Sequence, residues 1–307
     1  MVEILQKEKD FCQISVIIPT YNRASLLKEC LLSLNRQTYP VNAFDVIIVD
    51  DGSTDSTSQL VEQMTAKKLK YKLTFLRKEN GGPAKARNLG IQNASGDLIA
   101  FTDDDCIVDE YWLEYLSKAF IQIDIAGVGG KVLAKERGLF SEYLEFKRIL
   151  EPRQSEGKID FLITANACYR KDVLIAVGGF EEKIKNPGGE DPDLSFKVTQ
   201  EKGYRLVFEP KAIVYHQFKE SFDSFLRMSY NYGRGGKFLY QKWGKKFCEP
   251  YRTEILTYHA VAGLKYILLN FAHFLVRKRL GVKKSLLYSL LEWFGHLSYI
   301  RGYKKGY

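Results

Sequence analysis

Short apolar runs alternate with stretches of helical periodicity through the first hundred residues. The apolar runs occupy 14–18, 44–49, 73–76 and 98–101. Runs of this length with little polar alternation are typical of strands buried on both faces of a parallel sheet. Between them, apolar residues recur at helical spacing. The order βαβαβαβ with short connections predicts an α/β fold, with helices on both faces of a mostly parallel sheet.

The following hundred residues are less regular. Further apolar stretches that are candidates for strands lie at 128–133, 161–164, 206–208 and 212–215. Glycines crowd 178–189, immediately before Glu190 and Asp191. We expect this stretch to be a loop that carries acidic residues, because glycine-rich segments rarely stay inside helices or strands.

Polar side chains follow the predicted strands at the points where the strands end. They form clusters at 20–22, 50–51 and 103–105. In open α/β sheets, ligands bind at the carboxyl ends of the strands. We therefore predict the functional site at this edge of the sheet.

The acidic clusters each have a chemical and a structural interpretation. Three consecutive aspartates, 103–105, suit a hard divalent cation that prefers oxygen ligands and bridges a diphosphate, or they form a solvated acidic turn. Asp50 and Asp51 suit recognition of a base or ribose, or they cap the following helix. Glu190 and Asp191 suit a general base, or they are surface acids before a helix.

Two further features point to phosphate or metal chemistry. The segment 81–88 combines a glycine-rich loop, a helix start and the basic residues Lys85 and Arg87. Backbone N–H groups and the helix dipole at such a site bind phosphate, although the segment matches neither the P-loop nor the GxGxxG pattern. His216 follows an apolar run, where it is either a metal ligand or a structural histidine.

Taken in order, these clusters resemble the motifs of glycosyltransferase family 2. The resemblance spans roughly residues 13–218 and is carried by VIIPTYNR (16–23), VDDGSTD (49–55), NGGPAKARNLG (80–90), GDLIAFTDDDC (96–106), GGEDPDLSFK (188–197) and His216. It implies the GT-A fold, which has a Rossmann-like nucleotide-binding mixed sheet flanked by helices, here with a C-terminal helical extension. It also implies an inverting enzyme that uses a nucleoside-diphosphate sugar.

The resemblance assigns roles to individual residues. The residues implied in nucleotide-sugar binding are Pro19, Thr20, Tyr21, Asp50, Asp51, Arg87, Asp103, Asp104, Asn166 and Glu190. Asp105, His216 and Asp103 are implied in holding Mn²⁺ or Mg²⁺, and three consecutive aspartates leave the register open at Asp104. Asp191 matches the catalytic base, which removes the proton of the acceptor hydroxyl as it attacks the anomeric carbon.

The family resemblance implies the chemical classes of the two substrates but not their identities. The resemblance implies a nucleoside-diphosphate sugar donor, for which we expect UDP, with GDP and dTDP open. The acceptor is a hydroxyl, which we expect on a lipid-linked or polysaccharide glycan. A metal ion acting as a Lewis acid stabilises the leaving diphosphate in such a reaction.

The basic character of the chain belongs to its C-terminal third. The formal net charge is +9, but residues 211–307 hold 18 Lys and Arg against five Asp and Glu. Two apolar stretches, 255–276 and 285–300, flank the basic segment RKRLGVKK at 277–284. Two membrane spans would place this segment away from cytoplasmic nucleotide sugars, against the positive-inside tendency. We therefore expect amphipathic helices on the inner leaflet, the alternative being a helical subdomain or oligomer interface.

These observations predict three regions and a location. We expect an N-terminal tail at 1–12, a GT-A catalytic domain at 13–218, and a basic, amphipathic helical region at 219–307. The N-terminus shows no signal-peptide pattern, and five scattered cysteines favour a reducing compartment, so we expect a cytoplasmic, peripheral protein. Nucleic acid is disfavoured as a partner, because apolar stretches interrupt the basic region and no recognition motif is visible.

Two other functions remain open from the sequence. A nucleotidyltransferase also uses an α/β sheet with acidic metal ligands, but usually carries a Gly-rich signature near the N-terminus, where this chain has PTYNR. A catalytically silent scaffold subunit of a glycan-assembly complex is the second. The presence of Asp105, Asp191 and His216 disfavours it.

Overall fold

The first half of the sheet follows the predicted order. The computed structural model describes residues 11–66, 69–155, 157–244 and 264–307. Its first four strands are β1 (Ile14–Thr20), β2 (Phe44–Asp50), β3 (Lys72–Arg77) and β4 (Leu98–Phe101), parallel in the spatial order β3-β2-β1-β4. The helices between them are α1 (Ala24–Leu34), α2 (Thr57–Ala66) and α3 (Pro83–Asn93). This confirms the predicted βαβαβαβ arrangement.

The second half makes the sheet mixed. Its elements are β5 (Cys106–Val108), α4 (Trp112–Lys118), β6 (Ile125–Ala134), α5 (Leu139–Phe146), β7 (Arg153–Ser155), β8 (Lys158–Phe161), β9 (Ala167–Arg170), α6 (Lys171–Ala176), α7 (Glu190–Phe196) and β10 (Arg205–His216). The order continues β4-β9-β6-β10-β5, with β9 antiparallel to both of its neighbours. β7 and β8 form a separate hairpin.

The less regular stretches were only partly predicted. The strand expected at 128–133 lies within β6, whereas 161–164 contains only the last residue of β8 and then leads into a 3₁₀ turn, Thr164–Asn166. The runs 206–208 and 212–215 belong to one strand, β10, which a register shift between Glu209 and Ile213 interrupts. That irregularity explains why the sequence shows two runs.

Both faces of the sheet are buried, which explains the apolar runs in the sequence. Val16 and Ile18 of β1 face one hydrophobic cluster with Leu27 and Leu31 of α1. Ile17 faces the opposite cluster, together with residues of α3. Burial of alternate residues on opposite faces removes the need for polar positions.

Three helices complete the C-terminal region. They are α8 (Phe222–Trp243), α9 (Leu264–Ala272), which continues as a π-helical turn to Arg277, and α10 (Val282–Lys305). α8 and α10 run parallel: Gly295 lies against Phe225, and Gly302 lies against the backbone of Tyr230. Residues 255–263 of the predicted apolar stretch lie outside the described residues. Among the described helices, none combines the length and apolar character needed to cross a membrane.

Candidate active site

A large cavity lies at the carboxyl edge of the parallel strands. Its volume is about 2030 Å³. The strand ends form one side, the loop before α7 forms another, and α5, α8 and α10 close the far side. All the residues predicted for the site line this cavity except Asp50 and Asn166. The C-terminal helices therefore form part of its wall.

The three consecutive aspartates point in different directions. Asp104 is buried and accepts hydrogen bonds from Thr20 Oγ1 at 2.8 Å and Arg23 Nη1 at 2.9 Å. Asp103 accepts from Arg87 Nη2 at 2.8 Å, and Asp105 accepts from Arg23 Nη1 at 2.7 Å. Burial raises the pKa of Asp104 to about 7, against the opposing charge of Arg23. Asp104 is thus held against β1, and Asp103 and Asp105 are the aspartates available to a ligand.

Asp105 and His216 form a candidate metal site. Asp105 Oδ1 lies 3.4 Å from His216 Nε2, because β10 ends beside the strand that begins at Cys106. A Mg²⁺ or Mn²⁺ ion about 2.1 Å from each atom fits this separation. The Cys106 sulfur lies within 4.8 Å of the same group. Burial and the charge of Asp105 raise the pKa of the Cys106 thiol, so the available donors are oxygen and nitrogen, which suits a hard cation.

Arg87 connects the metal-side and base-side acids. Besides its bond to Asp103, its Nη1 lies 3.5 Å from Glu190 Oε1, and its guanidinium lies 5.7 Å from the centre of the Phe180 ring. The side chain is buried, yet Nε and Nη1 have no hydrogen-bond partner in the described structure. The guanidinium thus bridges Asp103 and Glu190 and places a positive charge in the cavity wall.

Asp191 is fixed at the first turn of α7. Its two carboxylate oxygens accept hydrogen bonds from Thr164, Oδ2 from the backbone N at 3.0 Å and Oδ1 from Oγ1 at 2.7 Å. Burial raises the pKa of Asp191, while the charge of Arg87 and the Thr164 hydrogen bonds oppose the rise. A carboxylate with a raised pKa in a cavity wall has the properties of a general base.

Glu190 has a different environment from Asp191. Its Oε2 accepts a hydrogen bond from the Gly188 backbone N at 2.6 Å. Burial and the charge of Asp191 raise the pKa of Glu190 to about 7. Glu190 therefore links Arg87 to the glycine turn that begins α7.

Four other predicted residues at the strand ends line the cavity, and one of them, Asp51, also holds the glycine-rich loop before α3. Tyr21 is 47% exposed at the cavity mouth, beside Pro19 and Thr20. Asp51 lines the cavity, but its carboxylate accepts hydrogen bonds from the backbone N atoms of Gly81 at 2.9 Å and Gly82 at 2.8 Å. It therefore fixes the glycine-rich loop before α3.

Comparison with known proteins decides the family. The profile described as Glycosyl transferase family 2 matches residues 15–178. A second profile, Glycosyl transferase family group 2, matches residues 98–300. The chain belongs to glycosyltransferase family 2. Membership makes it a glycosyltransferase and decides against the nucleotidyltransferase alternative.

Individual relatives agree with this family assignment. Glycosyltransferase AglE of Haloferax volcanii is 30% identical over 224 residues, which are 72% of each chain. The poly(ribitol-phosphate) β-N-acetylglucosaminyltransferase TarS of Staphylococcus aureus is 38% identical over 215 residues, which are 67% of this chain but 36% of TarS. The chain therefore spans only about a third of the length of that relative.

Solved structures show the same fold. The mannosyltransferase PcManGT from Pyrobaculum calidifontis, in complex with GDP-Man and Mn²⁺, matches with a TM-score of 0.65 and 19% identity, over 94% of this chain and 88% of that one. TarS in complex with UDP-GlcNAc matches with a TM-score of 0.55 and 20% identity, over 95% and 91%. The family 2 glycosyltransferase described here thus has the predicted GT-A fold.

Two predicted site residues lie away from the cavity of this glycosyltransferase. Asn166 is buried: its Oδ1 accepts from Trp112 Nε1 at 2.8 Å, and its Nδ2 donates to two backbone carbonyls, those of Lys131 and Ala212, both at 2.9 Å. These bonds engage the side-chain amide with the protein, and Asn166 does not line the cavity. Asp50 is fully buried, and its Oδ1 accepts from the backbone N of Ser53 at 2.9 Å, so it fixes the turn before α2 and does not cap that helix, which begins at Thr57.

Four residues near the site were not predicted. Arg23 ends the PTYNR motif, and Thr164 lies two residues before Asn166 in the segment TANACYR, so each lies close to a residue that the family resemblance implies. Tyr232 and Gly235 lie on α8, where the glycine-rich stretch YNYGRGGK was the available signal. Glycine in a helix interior is destabilising relative to alanine, so its repeated use indicates close packing.

Proposed function

We propose that this chain is a metal-dependent, inverting glycosyltransferase that moves a sugar from a nucleoside-diphosphate sugar to a hydroxyl acceptor. The observation that carries the proposal is the shared cavity: Asp191, fixed by Thr164, opens onto the same space as the Asp105–His216 pair. A base and a metal site facing one cavity are what single displacement of a diphosphate requires.

Asp191 is proposed to act on the acceptor. As the acceptor oxygen forms its bond to the anomeric carbon, Asp191 takes the hydroxyl proton and the bond from that carbon to the diphosphate oxygen breaks. Thr164 donates to both Asp191 oxygens, so it orients the carboxylate while a lone pair remains for the acceptor proton. One base and one displacement invert the configuration at the anomeric carbon.

The opposite end of the cavity is proposed to hold the leaving group. A divalent ion held by Asp105 and His216, with Asp103 nearby, supplies Lewis acidity for the departing diphosphate when it is bound. Arg87, whose Nη2 lies 2.8 Å from Asp103, adds a positive charge to this part of the cavity wall. Tyr21 and the strand-end residues Pro19 and Thr20 line the space for the nucleotide.

The donor and acceptor are proposed from relatives. TarS has been solved with UDP-GlcNAc and PcManGT with GDP-Man, which supports a nucleoside-diphosphate sugar, with UDP as the first candidate and GDP as the second. TarS is named for a poly(ribitol-phosphate) acceptor, which supports a lipid-linked or polysaccharide glycan.

We further propose that the protein is peripheral on the cytoplasmic face of the membrane. Exposed apolar side chains lie within and on either side of the basic segment 277–284, on α9, on the π-helical turn after it and at the start of α10. They are Leu268, Leu269, Val276, Val282 and Leu286, exposed by 49% to 71%. Apolar residues beside a basic segment fit an anionic lipid surface.

The deciding experiment is hydrolysis of a panel of nucleotide sugars by the purified protein with Mn²⁺, Mg²⁺ or EDTA. We expect slow, metal-dependent release of one nucleoside diphosphate, faster when an acceptor is present. Release of no nucleoside diphosphate, together with no binding of any nucleotide sugar, would favour the catalytically silent scaffold.

A further inference from the structure

Three glycines in α8 have different neighbours. Gly233 and Gly236 face α10: a methyl group on Gly233 would lie 1.9 Å from the backbone O of Tyr299, and one on Gly236 would lie 2.2 Å from the Tyr299 hydroxyl. Gly235 faces the opposite way. A methyl group there would lie 2.0 Å from the backbone O of Gly188 and 3.0 Å from the backbone N of Gly189.

The turn that Gly235 touches begins the helix that carries the base. Gly188 and Gly189 have φ values of +127° and +109°, which favour glycine, and Gly189 is the N-cap of α7. Asp191 lies two residues further on, and Glu190 accepts from the Gly188 backbone N. The position of this turn therefore sets where α7 starts and where the Asp191 carboxylate lies.

The contact between α8 and the turn is backbone against backbone. The Cα of Gly235 would lie 2.9 Å from a methyl group on Gly189, so neither residue has room for a side chain. The ring of Tyr232, one turn earlier on α8, would lie 3.0 Å from a methyl group on Gly188. Since close-packed backbone does not rotate away as a side chain does, a substitution at Gly235 must move the turn or the helix.

We infer that Gly235 is a positioning residue for the reaction: by letting α8 approach the Gly188–Gly189 turn, it fixes the Asp191 carboxylate relative to the donor. The inference rests on the proposed role of Asp191. It extends the catalytic unit beyond the motif-bearing residues 13–218, because α8 determines where the base lies.

The test compares alanine at three glycines. Gly235→Ala is expected to lower kcat by about 10²-fold, the effect of a shift of about 1 Å at a reacting group. The KM for the donor, and donor affinity by calorimetry, are expected to change by less than about threefold, since the turn leaves the strand-end pocket in place. Gly281→Ala, which would have no neighbour within 4 Å, is expected to match the wild type.

Gly233→Ala separates positioning from packing. The three atoms nearest to a methyl group there all belong to the backbone of α10, so the variant is expected to lower Tm while kcat, measured below that Tm, stays within about threefold of wild type. Equal kcat in Gly235→Ala and wild type, or kcat losses that follow the Tm losses in both variants, would overturn the inference.

Tyr232 provides a second test if Gly235→Ala does not fold. Tyr232→Ala removes the ring that supports Gly188 and is expected to lower kcat with donor affinity retained, whereas Tyr232→Phe keeps the ring and is expected to keep kcat. Wild-type kcat in Tyr232→Ala would refute positioning by α8. A wild-type protein that turns over no nucleotide sugar would instead refute the proposed function.

Discussion

Arg23 Nη1 lies 2.7 Å from Asp105 Oδ2 and 2.9 Å from Asp104 Oδ1, so one guanidinium nitrogen connects a buried carboxylate to a candidate metal ligand. Because Oδ2 of Asp105 is held in this way, its Oδ1 faces His216. Hydrogen bonds from residues that do not themselves bind the metal orient the side chains that do. Arg23 therefore ties Asp104 to Asp105, while the further bond from Thr20 Oγ1, which only Asp104 accepts, holds Asp104 away from the candidate metal site.

Replacing Arg23 by methionine is expected to destabilise the protein in a pH-dependent manner. At pH 8, the charged Asp104 carboxylate must stay buried without the Arg23 guanidinium, which lowers the free energy of unfolding by about 1–3 kcal/mol. At pH 5 the cost is smaller, because Asp104, with its pKa of about 7, already carries a proton. Urea unfolding at both pH values measures the difference. Adding Asp104→Asn is expected to recover most of the loss at pH 8, and equal losses at both pH values would contradict the assigned role.

Substitutions at Asp105 and His216 are expected to weaken metal binding. Asp105→Asn and His216→Gln each remove one donor, so Mn²⁺ affinity, followed by electron paramagnetic resonance without nucleotide, is expected to fall by about tenfold or more. Cys106→Ser is the matched control, because the thiol beside them keeps its proton. If Cys106→Ser lowers affinity as much as His216→Gln does, the sulfur is a ligand and the oxygen–nitrogen site is wrong.

Asp191→Asn is expected to lower kcat by about 10²- to 10⁴-fold, the range that general base catalysis contributes. Asparagine keeps the shape and still accepts from Thr164, so donor affinity is expected to remain. Asp223→Asn, at an exposed position on α8, serves as the control. Steady-state kinetics and calorimetry measure both quantities, and wild-type kcat in Asp191→Asn would remove Asp191 from the mechanism.

Glu190→Gln is expected to change how stability depends on pH. Since burial raises the pKa of Glu190 to about 7, the folded protein binds more protons than the unfolded chain between the ordinary glutamate range and pH 7. This group's contribution to the free energy of unfolding therefore falls as pH rises through that window, by at most about 1.4 kcal/mol per pH unit, and is fully lost above it. Urea unfolding from pH 5 to 8 measures the free energy of unfolding of both proteins. As the pH rises, Glu190→Gln is expected to become more stable relative to wild type. A constant difference would show an ordinary pKa.

The basic segment between α9 and α10 is expected to contribute to membrane binding. Each basic residue near an anionic surface contributes about 1 kcal/mol, so the triple variant Arg277→Gln, Lys278→Gln, Arg279→Gln is expected to lower the affinity for phosphatidylserine vesicles by about tenfold or more. A second triple variant, Lys28→Gln, Lys70→Gln, Lys72→Gln, removes three exposed charges elsewhere. Equal sedimentation of both variants with vesicles would show that the segment has no specific part in binding.

The sequence predicted the parallel half of the sheet closely, because its strands are continuous apolar runs separated by helices. β4 has the predicted bounds, 98–101, and the polar residues at the ends of β1, β2 and β4 meet at one edge, since parallel strands end on the same side. The antiparallel strand β9 was not predicted. Its four residues, ACYR, pair with segments about 40 and 70 positions away, and local periodicity carries no information on such partners.

The site was predicted less completely than the fold. Motif position predicted Asn166, whereas the structure places Thr164, two residues earlier, against Asp191, because a 3₁₀ turn rotates consecutive side chains in different directions. Asp50 and Asp51 were predicted to share one role. Successive side chains at the end of a strand point in opposite directions, so Asp50 is buried and Asp51 lines the cavity. The part of the cavity wall formed by α8 and α10 was not predicted, because a hydrophobic pattern shows which face of a helix is buried and not what covers that face.

The cavity lining runs from Pro19 to Lys304, which has a consequence for synthesis on the ribosome. The strand ends that bear the acids emerge before α8 and α10, and the turn before Asp191 rests on α8. A nascent chain therefore lacks one wall of its active site until α10 has left the exit tunnel. Turnover of the donor is expected to begin only once translation has passed that helix.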